Sequence, residues 1–294
     1  MPEHKGTVAV LGGDTRQIYA ARALRAAGFS VVTCGLPEAP ALPADIKHAA
    51  SLREAMEGSR VLLCPVPFTS DGAQLLHPPG IPLPISVFLE GLRHGQIVIA
   101  GSLPENAGKR CRALGVPAFA LLNRADFARL NAIPTAEAAI ALAVMQGAGN
   151  LHGSRCLVLG FGHCGKALAE RLASLGAKPC VLARREESIR LAHTAGFAAA
   201  DFDALPQYLP QCDYVFNTVP TPVLPGALLA LLPGDAVVID IAAAPGGTDF
   251  AAAQALGLQA GRYPGLPGKY APRAAGEALA AITQKILDEL EGAA

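Results

Sequence analysis

Apolar runs of four to six residues alternate with amphipathic stretches of ten or more along most of this chain. Parallel strands joined by crossover helices produce that rhythm, because a strand covered on both faces is apolar throughout while its helix keeps one wet side. The first repeat predicts a strand over 7–11, a turn at Gly12-Gly13, a helix through Ala27 and a strand over 30–34. Further strands fall at 60–64, 96–100 and 116–120. Asn131-Ala-Ile-Pro134 then interrupts the pattern, an Ala-rich helix is expected over 135–145, and Gly147, Gly149 and Gly153 mark a domain boundary. Beyond it, strands are expected from Cys156 and over 179–183, 214–217, 237–241 and 258–261, with a helix over 166–175 after the first. After Gly265-Leu-Pro-Gly268 a last helix covers roughly 273–290, with Ala274, Leu279, Ile282, Ile286 and Leu290 near helical spacing. That stripe must be buried, and its return to the first domain is the expectation.

One turn carries specific chemistry. The strand from Cys156 runs into Gly160-Phe161-Gly162-His163-Cys164-Gly165 and then a helix. This is the phosphate-cradling turn of a dinucleotide fold: Gly160 permits the tight turn, Gly162 lets a pyrophosphate approach the backbone, and Gly165 lets helix and strand pack closely. His163 and Cys164 lie within the same turn. The next strand ends in Arg184-Arg185, where an NAD site usually places an acid for the ribose 2′-hydroxyl. Guanidinium groups bind a 2′-phosphate, which an acid repels, so the pair points to NADP. A solvated loop pair is the alternative for these arginines.

The totals narrow the class. A chain of 294 residues is long enough for two cores, and 51% hydrophobic against 16% charged residues argues for a compact soluble protein. A formal net charge of zero suggests neither a nucleic-acid nor a membrane surface. No N-terminal stretch resembles a signal peptide, and no uninterrupted apolar run approaches the 18 or so residues of a membrane span. Seven cysteines without a C-x-x-C pair read as reduced core residues of a cytoplasmic protein, although Cys164, at a helix start, could instead be reactive.

Ligands of open parallel sheets sit beyond the carboxyl ends of the strands, so the loops there are the candidate walls. Gly12-Gly13-Asp14-Thr15-Arg16-Gln17 lacks a third glycine and is no second dinucleotide turn; it is read either as an anion site with Arg16 as the fork or as an ordinary turn. Pro65-Val66-Pro67-Phe68-Thr69-Ser70-Asp71-Gly72 is a stiff, hydroxyl-rich substrate wall. Asn217-Thr218-Val219-Pro220 and the loop from Ala243 follow strands that would flank the nicotinamide ribose. The last 101 residues contain no histidine, which weakens a D-specific 2-hydroxy-acid dehydrogenase, whose acid/base His would be expected there. No metal-ligand spacing and no Gly-x-Ser-x-Gly elbow is present.

Taken in order and spacing, these loops resemble the A subunits of bacterial dipicolinate synthase. The resemblance rests on Gly12-Gly13-Asp14 with Arg16-Gln17, Asn131-Ala-Ile-Pro134-Thr135-x-Glu137, His152-Gly153-Ser154, the glycine turn, Asn217-Thr-Val-Pro220, Pro245-Gly246-Gly247-Thr248-Asp249-Phe250 and Gly265-Leu-Pro-Gly268-Lys269-x-Ala271-Pro272. It implies NADP-dependent oxidation of dihydrodipicolinate to pyridine-2,6-dicarboxylate, the calcium-chelating acid of bacterial spores, together with a flavoprotein-like B subunit; a homo-oligomer is a separate expectation. A dianionic substrate needs cations, for which Arg16, Lys269 and Arg273 are the candidates beside Thr69 and Ser70; no general base is assigned. At Ala244, and at Ala243, the family is more polar. The organisation expected is an α/β fold of two Rossmann-like domains with parallel sheets. A substrate domain, Rossmann- or flavodoxin-like, covers 1–133. An NADP-binding domain covers 134–269 with a linking helix over 134–147, and a C-terminal helix over 270–294 packs back on the first domain. Two other functions remain open: a non-catalytic NADP-binding scaffold for a partner subunit, and an NADP-dependent dehydrogenase of another small carboxylic acid.

Overall fold

The computed structural model describes residues 6–292. The chain divides into two compact units, one running to Asn131 and resuming at Pro267, the other Ala132–Leu266. Among the described residues each unit holds one six-stranded sheet.

In the first unit, β1 (Thr7–Leu11), β2 (Ser30–Cys34), β3 (Lys47–His48), β4 (Val61–Leu63), β5 (Ile97–Ala100) and β6 (Ala118–Ala120) lie in the order β3-β2-β1-β4-β5-β6. Every pair is parallel. The crossovers carry α1 (Thr15–Ala26), α2 (Leu52–Met56), α3 (Ile85–Gly91) and α4 (Glu105–Ala113). The order runs outward from β1 and then from β4, so the sheet reverses between those two strands, and the loops after them face one crevice. One sheet face is covered by Phe68, Phe88, Leu75 and Leu83, the other by Ala20, Ala21 and Leu24 of α1 with Leu279, Ile282 and Ile286.

Those last residues belong to α12 (Pro272–Glu291), the C-terminal helix, which returns to the N-terminal unit as the stripe requires. Its buried face is shifted from the expected one: Ala274 is exposed, while Ala275, Gly276 and Leu287 are buried. Gly276 sets the approach, since a Cβ there would meet the Arg16 carbonyl and lie 2.6 Å from Tyr19 Cβ. Arg124 holds Asp126 at 2.9 Å and Glu289 at 3.0 Å, and Lys285 Nζ reaches Asp126 at 2.8 Å, fastening the far end of α12.

In the second unit, β7 (Arg155–Leu159), β8 (Lys178–Leu182), β9 (Ala198–Ala200), β10 (Tyr214–Asn217), β11 (Val237–Asp240) and β12 (Gln259–Arg262) repeat the same order, β12-β11-β10-β7-β8-β9, again all parallel. The helices between them are α6 (His163–Ser174), α7 (Glu186–Thr194), α8 (Leu205–Tyr208), α9 (Gly226–Leu229) and α10 (Phe250–Ala255), and α11 (Leu266–Tyr270) follows β12. Two parallel Rossmann-type sheets are thus the α/β class expected.

Two elements differ from the expectation. α5 (Ala125–Gln146) is continuous through Pro134, where a break was expected. A proline forfeits one backbone bond and crowds the preceding turn; here Ala132, Ala136, Ala139, Ile140 and Ala143 hold the helix in the core of the second unit. By length and composition α5 could cross a membrane, contrary to the expectation of no such stretch, yet 56% of its most apolar window is buried in the fold. The strands β3 and β9 were not foreseen: one is two exposed polar residues, and the other is three alanines, a residue type that favours helix over strand.

Candidate dinucleotide and substrate sites

In the second unit the turn after β7 does what its glycines require. Gly160 adopts φ +93°, and a Cβ there would lie 2.5 Å from Thr218 Oγ1 and 2.9 Å from Val219 Cγ2. A Cβ at Gly165 would run into the Gly160 carbonyl, whereas Gly162 faces open space. Gly162 is the N-cap of α6 and no side chain caps that helix, so its first turn presents N–H groups and positive dipole to the groove.

The groove, about 420 Å³, opens between the ends of β7, β8 and β10, at the point where the sheet reverses. Gly160, Phe161, Gly162, Arg184, Arg185, Thr218, Val219 and Pro220 line it together, joined by Ser188, Phe202 and Thr221, which sequence reading did not single out. Arg184 Nη2 donates to Thr221 Oγ1 at 3.2 Å, and among the described residues neither arginine forms an ion pair. The Phe161 ring packs edge-on against Phe197, centroids 6.2 Å apart.

His163, Cys164, Gly165, Asn217 and Ala243 do not line this groove. Burial pushes the Cys164 thiol up to about 11, which leaves it protonated and argues against a reactive thiolate there. Asn217 is fully buried and spends both ends of its amide internally: Nδ2 donates to the Val219 carbonyl at 3.0 Å and to Asp240 Oδ2 at 2.8 Å, and Oδ1 accepts from the Val219 N–H at 3.0 Å. It builds the loop that Thr218, Val219 and Pro220 present. Asp240, at the end of β11, escaped the sequence reading; its only signal was an acid closing an apolar strand.

In the first unit the equivalent crevice is filled by the chain itself. A Cβ at Gly12 would collide with the Leu76 carbonyl and lie 3.0 Å from Leu83 Cδ1, and at Gly35 another would lie 2.6 Å from the same Leu83 atom. The segment between β4 and α3 therefore folds over the ends of β1 and β2, burying Phe68, Leu75 and Leu83. The Gly13 N–H is likewise taken by the Leu76 carbonyl, so this turn is closed over by the chain's own backbone.

Of the substrate candidates, Arg16 is 3% exposed and bound at two points to Asp14, Nε to Oδ1 at 2.8 Å and Nη2 to Oδ2 at 2.9 Å. The fork expected to be free is occupied. Gly268 packs directly against this pair, a Cβ there lying 2.5 Å from Arg16 Nη2, so the exposed Lys269 sits beside Asp14 and Arg16. Thr69 stiffens its turn, donating to Asp71 at 3.1 Å and accepting from the Gly72 N–H at 2.9 Å, while Ser70 is exposed. Arg273 is 77% exposed, pairs with Glu277 at 2.9 Å, and lies over Tyr19 and Arg22 of α1, one to two turns from that helix start.

Comparison with known proteins agrees with this geometry unit by unit. Residues 7–122 match the family described as the N-terminal domain of the dipicolinate synthase A subunit, and residues 135–256 match the NAD-binding domain of D-isomer specific 2-hydroxyacid dehydrogenases. The dipicolinate synthase A subunit of Bacillus subtilis (strain 168) is 36% identical over 171 residues, an alignment spanning 58% of this chain and 58% of that protein. The crystal structure of the corresponding A subunit from Bacillus halodurans superposes with a TM-score of 0.87 at 28% identity, covering 97% of this chain and 98% of its own. That of the Bacillus subtilis protein gives 0.85 at 27%, covering 98% and 97%. The resemblance to dipicolinate synthase A subunits read from the loops is thereby borne out, and the second unit is a dehydrogenase-type domain for a nicotinamide dinucleotide.

Proposed function

We propose that this chain is the dehydrogenase subunit of a dipicolinate synthase, oxidising dihydrodipicolinate with NADP⁺. The observation that carries the cofactor choice is the groove end beyond β8, where two exposed guanidinium groups stand, among the described residues, without ion-pair partners at the place an NAD site keeps for an acid. Arg184 and Arg185 hold the 2′-phosphate, with the Ser188 hydroxyl beside them. The first turn of α6 and the bare backbone at Gly162 take the pyrophosphate, and the loops 217–220 and 243–248 flank the nicotinamide ribose.

Bound NADP⁺ supplies the hydride acceptor; the substrate also gives up one proton to water, and its ring becomes aromatic. The reaction therefore needs orientation and grip more than a strong base. Lys269 is the exposed cation for a substrate carboxylate. Arg16, tied to Asp14, fixes the turn that carries it, Ser70 adds a hydroxyl contact from the turn that Thr69 stiffens, and Arg273 marks the outer edge of the cationic surface. The same reading places the protein in the cytoplasm of a sporulating cell, as part of a homo-oligomer that works with a B subunit.

The test is NADPH formation from freshly generated dihydrodipicolinate, with and without the B subunit. Cofactor-dependent turnover in either condition is expected; its absence from both would overturn the assignment.

A further inference from the structure

We propose that Asp240 is the positioning residue of the nicotinamide half of the dinucleotide site and that its charge biases that half toward the oxidised cofactor. Asp240 closes β11 with no exposed surface, and its carboxylate accepts four hydrogen bonds. Oδ2 accepts from Asn217 Nδ2 at 2.8 Å, from the Gly247 N–H at 3.0 Å and from Thr248 Oγ1 at 2.9 Å; Oδ1 accepts from the Ala242 N–H at 2.9 Å. Asn217 passes the restraint on to Val219 through both ends of its amide. One carboxylate thus fixes both loops that leave β10 and β11. The arrangement has little slack, since a Cβ at Gly247 would lie 2.5 Å from Asn217 Nδ2, 2.7 Å from the Val219 carbonyl and 2.8 Å from the Thr221 carbonyl.

All four donors are neutral, and among the described residues Asp240 forms no ion pair; Arg262, its register partner on β12, runs beside it, a Cβ at Gly246 lying 3.3 Å from both Arg262 Cδ and Asp240 Oδ2, but is exposed and does not close on the carboxylate. A buried anion is expensive without a positive partner, and Coulomb attraction is strong where water is excluded. In a sheet of this order the second mononucleotide half of the crevice belongs to the β10–β12 strands, which is where Asp240 lies. The oxidised nicotinamide ring carries a positive charge that the reduced ring lacks. A fixed negative charge in that half therefore favours NADP⁺ over NADPH, while the adenosine half, held beyond β7 and β8, does not sense it.

This inference rests on the nicotinamide-dinucleotide site, not on the choice of NADP. Affinities of Asp240→Asn for NADP⁺, NADPH and 2′,5′-ADP are measured by calorimetry, with thermal unfolding alongside. The 2′,5′-ADP affinity is expected to stay within twofold of wild type and NADP⁺ to weaken at least tenfold, with the NADP⁺-to-NADPH affinity ratio falling at least fivefold. Thr248→Val removes one neutral donor and keeps the charge, so it should weaken both dinucleotides, leave 2′,5′-ADP alone and preserve the ratio. An unchanged ratio in Asp240→Asn, or equal losses for all three ligands, would overturn the proposal. Should that variant not fold, the charge-keeping Asp240→Glu must retain the wild-type ratio while losing dinucleotide affinity, and a shifted ratio there overturns it equally. If the wild type prefers NAD⁺, the 2′-phosphate assignment fails, and the same measurements with NAD⁺, NADH and ADP-ribose still decide the role of Asp240.

Discussion

Among the described residues Arg184 and Arg185 stand at the end of β8 without an ion-pair partner, so their removal orphans no acid there and should read out on the cofactor alone. Replacing both by Ala is expected to weaken NADP⁺ by about 1.5–3 kcal/mol, the range of hydrogen bonds to charged groups, while NAD⁺ binding changes little. Calorimetry with both cofactors checks this; a loss shared equally by NAD⁺ would remove the 2′-phosphate role. Lys269 and Arg16 separate differently. Lys269→Ala should abolish turnover with normal unfolding and intact association with a B subunit, whereas unchanged turnover would favour a scaffold. Arg16→Ala strips Asp14 of its ion pair against Gly268 and leaves it only the backbone N–H of residue 16, so it should lower stability as well as rate. These residue types were legible in the chain, but the pairing of Arg16 with Asp14 was not. Two residues apart, they could as well have pointed to different partners.

At the scale of elements, α12 is a helix whose attachment can be probed at both ends. Gly276→Ala places a methyl against the Arg16 carbonyl and should destabilise the first unit by about 1–3 kcal/mol, the usual range for overpacking, seen in denaturant titration. At the other end, Arg124 and then Lys285 hold the Asp126 carboxyl well below its ordinary value of 3.8, and Arg124 holds Glu289 below 4.5. Folding depresses both values, so their contribution is complete above about pH 5 and is lost as pH falls through the folded values. Acid titration should thus loosen α12, and Asp126→Asn should flatten that dependence; an unaltered pH profile in the variant would contradict it. The stripe on α12 showed from its spacing that the helix is docked, but the exact face was set by Gly276, whose small size matters only against a neighbour. α5 shows the converse, a proline that reads as a stop but is carried through because the core around it outweighs one lost backbone bond.

For the molecule as a whole, two units with separate cores, with the proposed dinucleotide groove in the second, make ligand stabilisation selective. Saturation with NADP⁺ at about a hundredfold excess over its Kd should stabilise the Ala132–Leu266 unit by about 2.7 kcal/mol. Scanning calorimetry should show that transition moving up; a shift confined to the first unit would mean that the groove beyond β7 is not the site.

The alternation of apolar runs and the glycine turn determined by themselves that this is a parallel α/β protein with one phosphate-cradling turn, because strand burial and backbone sterics are local properties written residue by residue. Tertiary structure alone decided that the first unit fills its own crevice with Leu76 and Leu83, that Arg16 is already paired, and that Asp240 holds two loops at once. Each of these depends on groups distant along the chain meeting in space, and neither periodicity nor spacing carries that information.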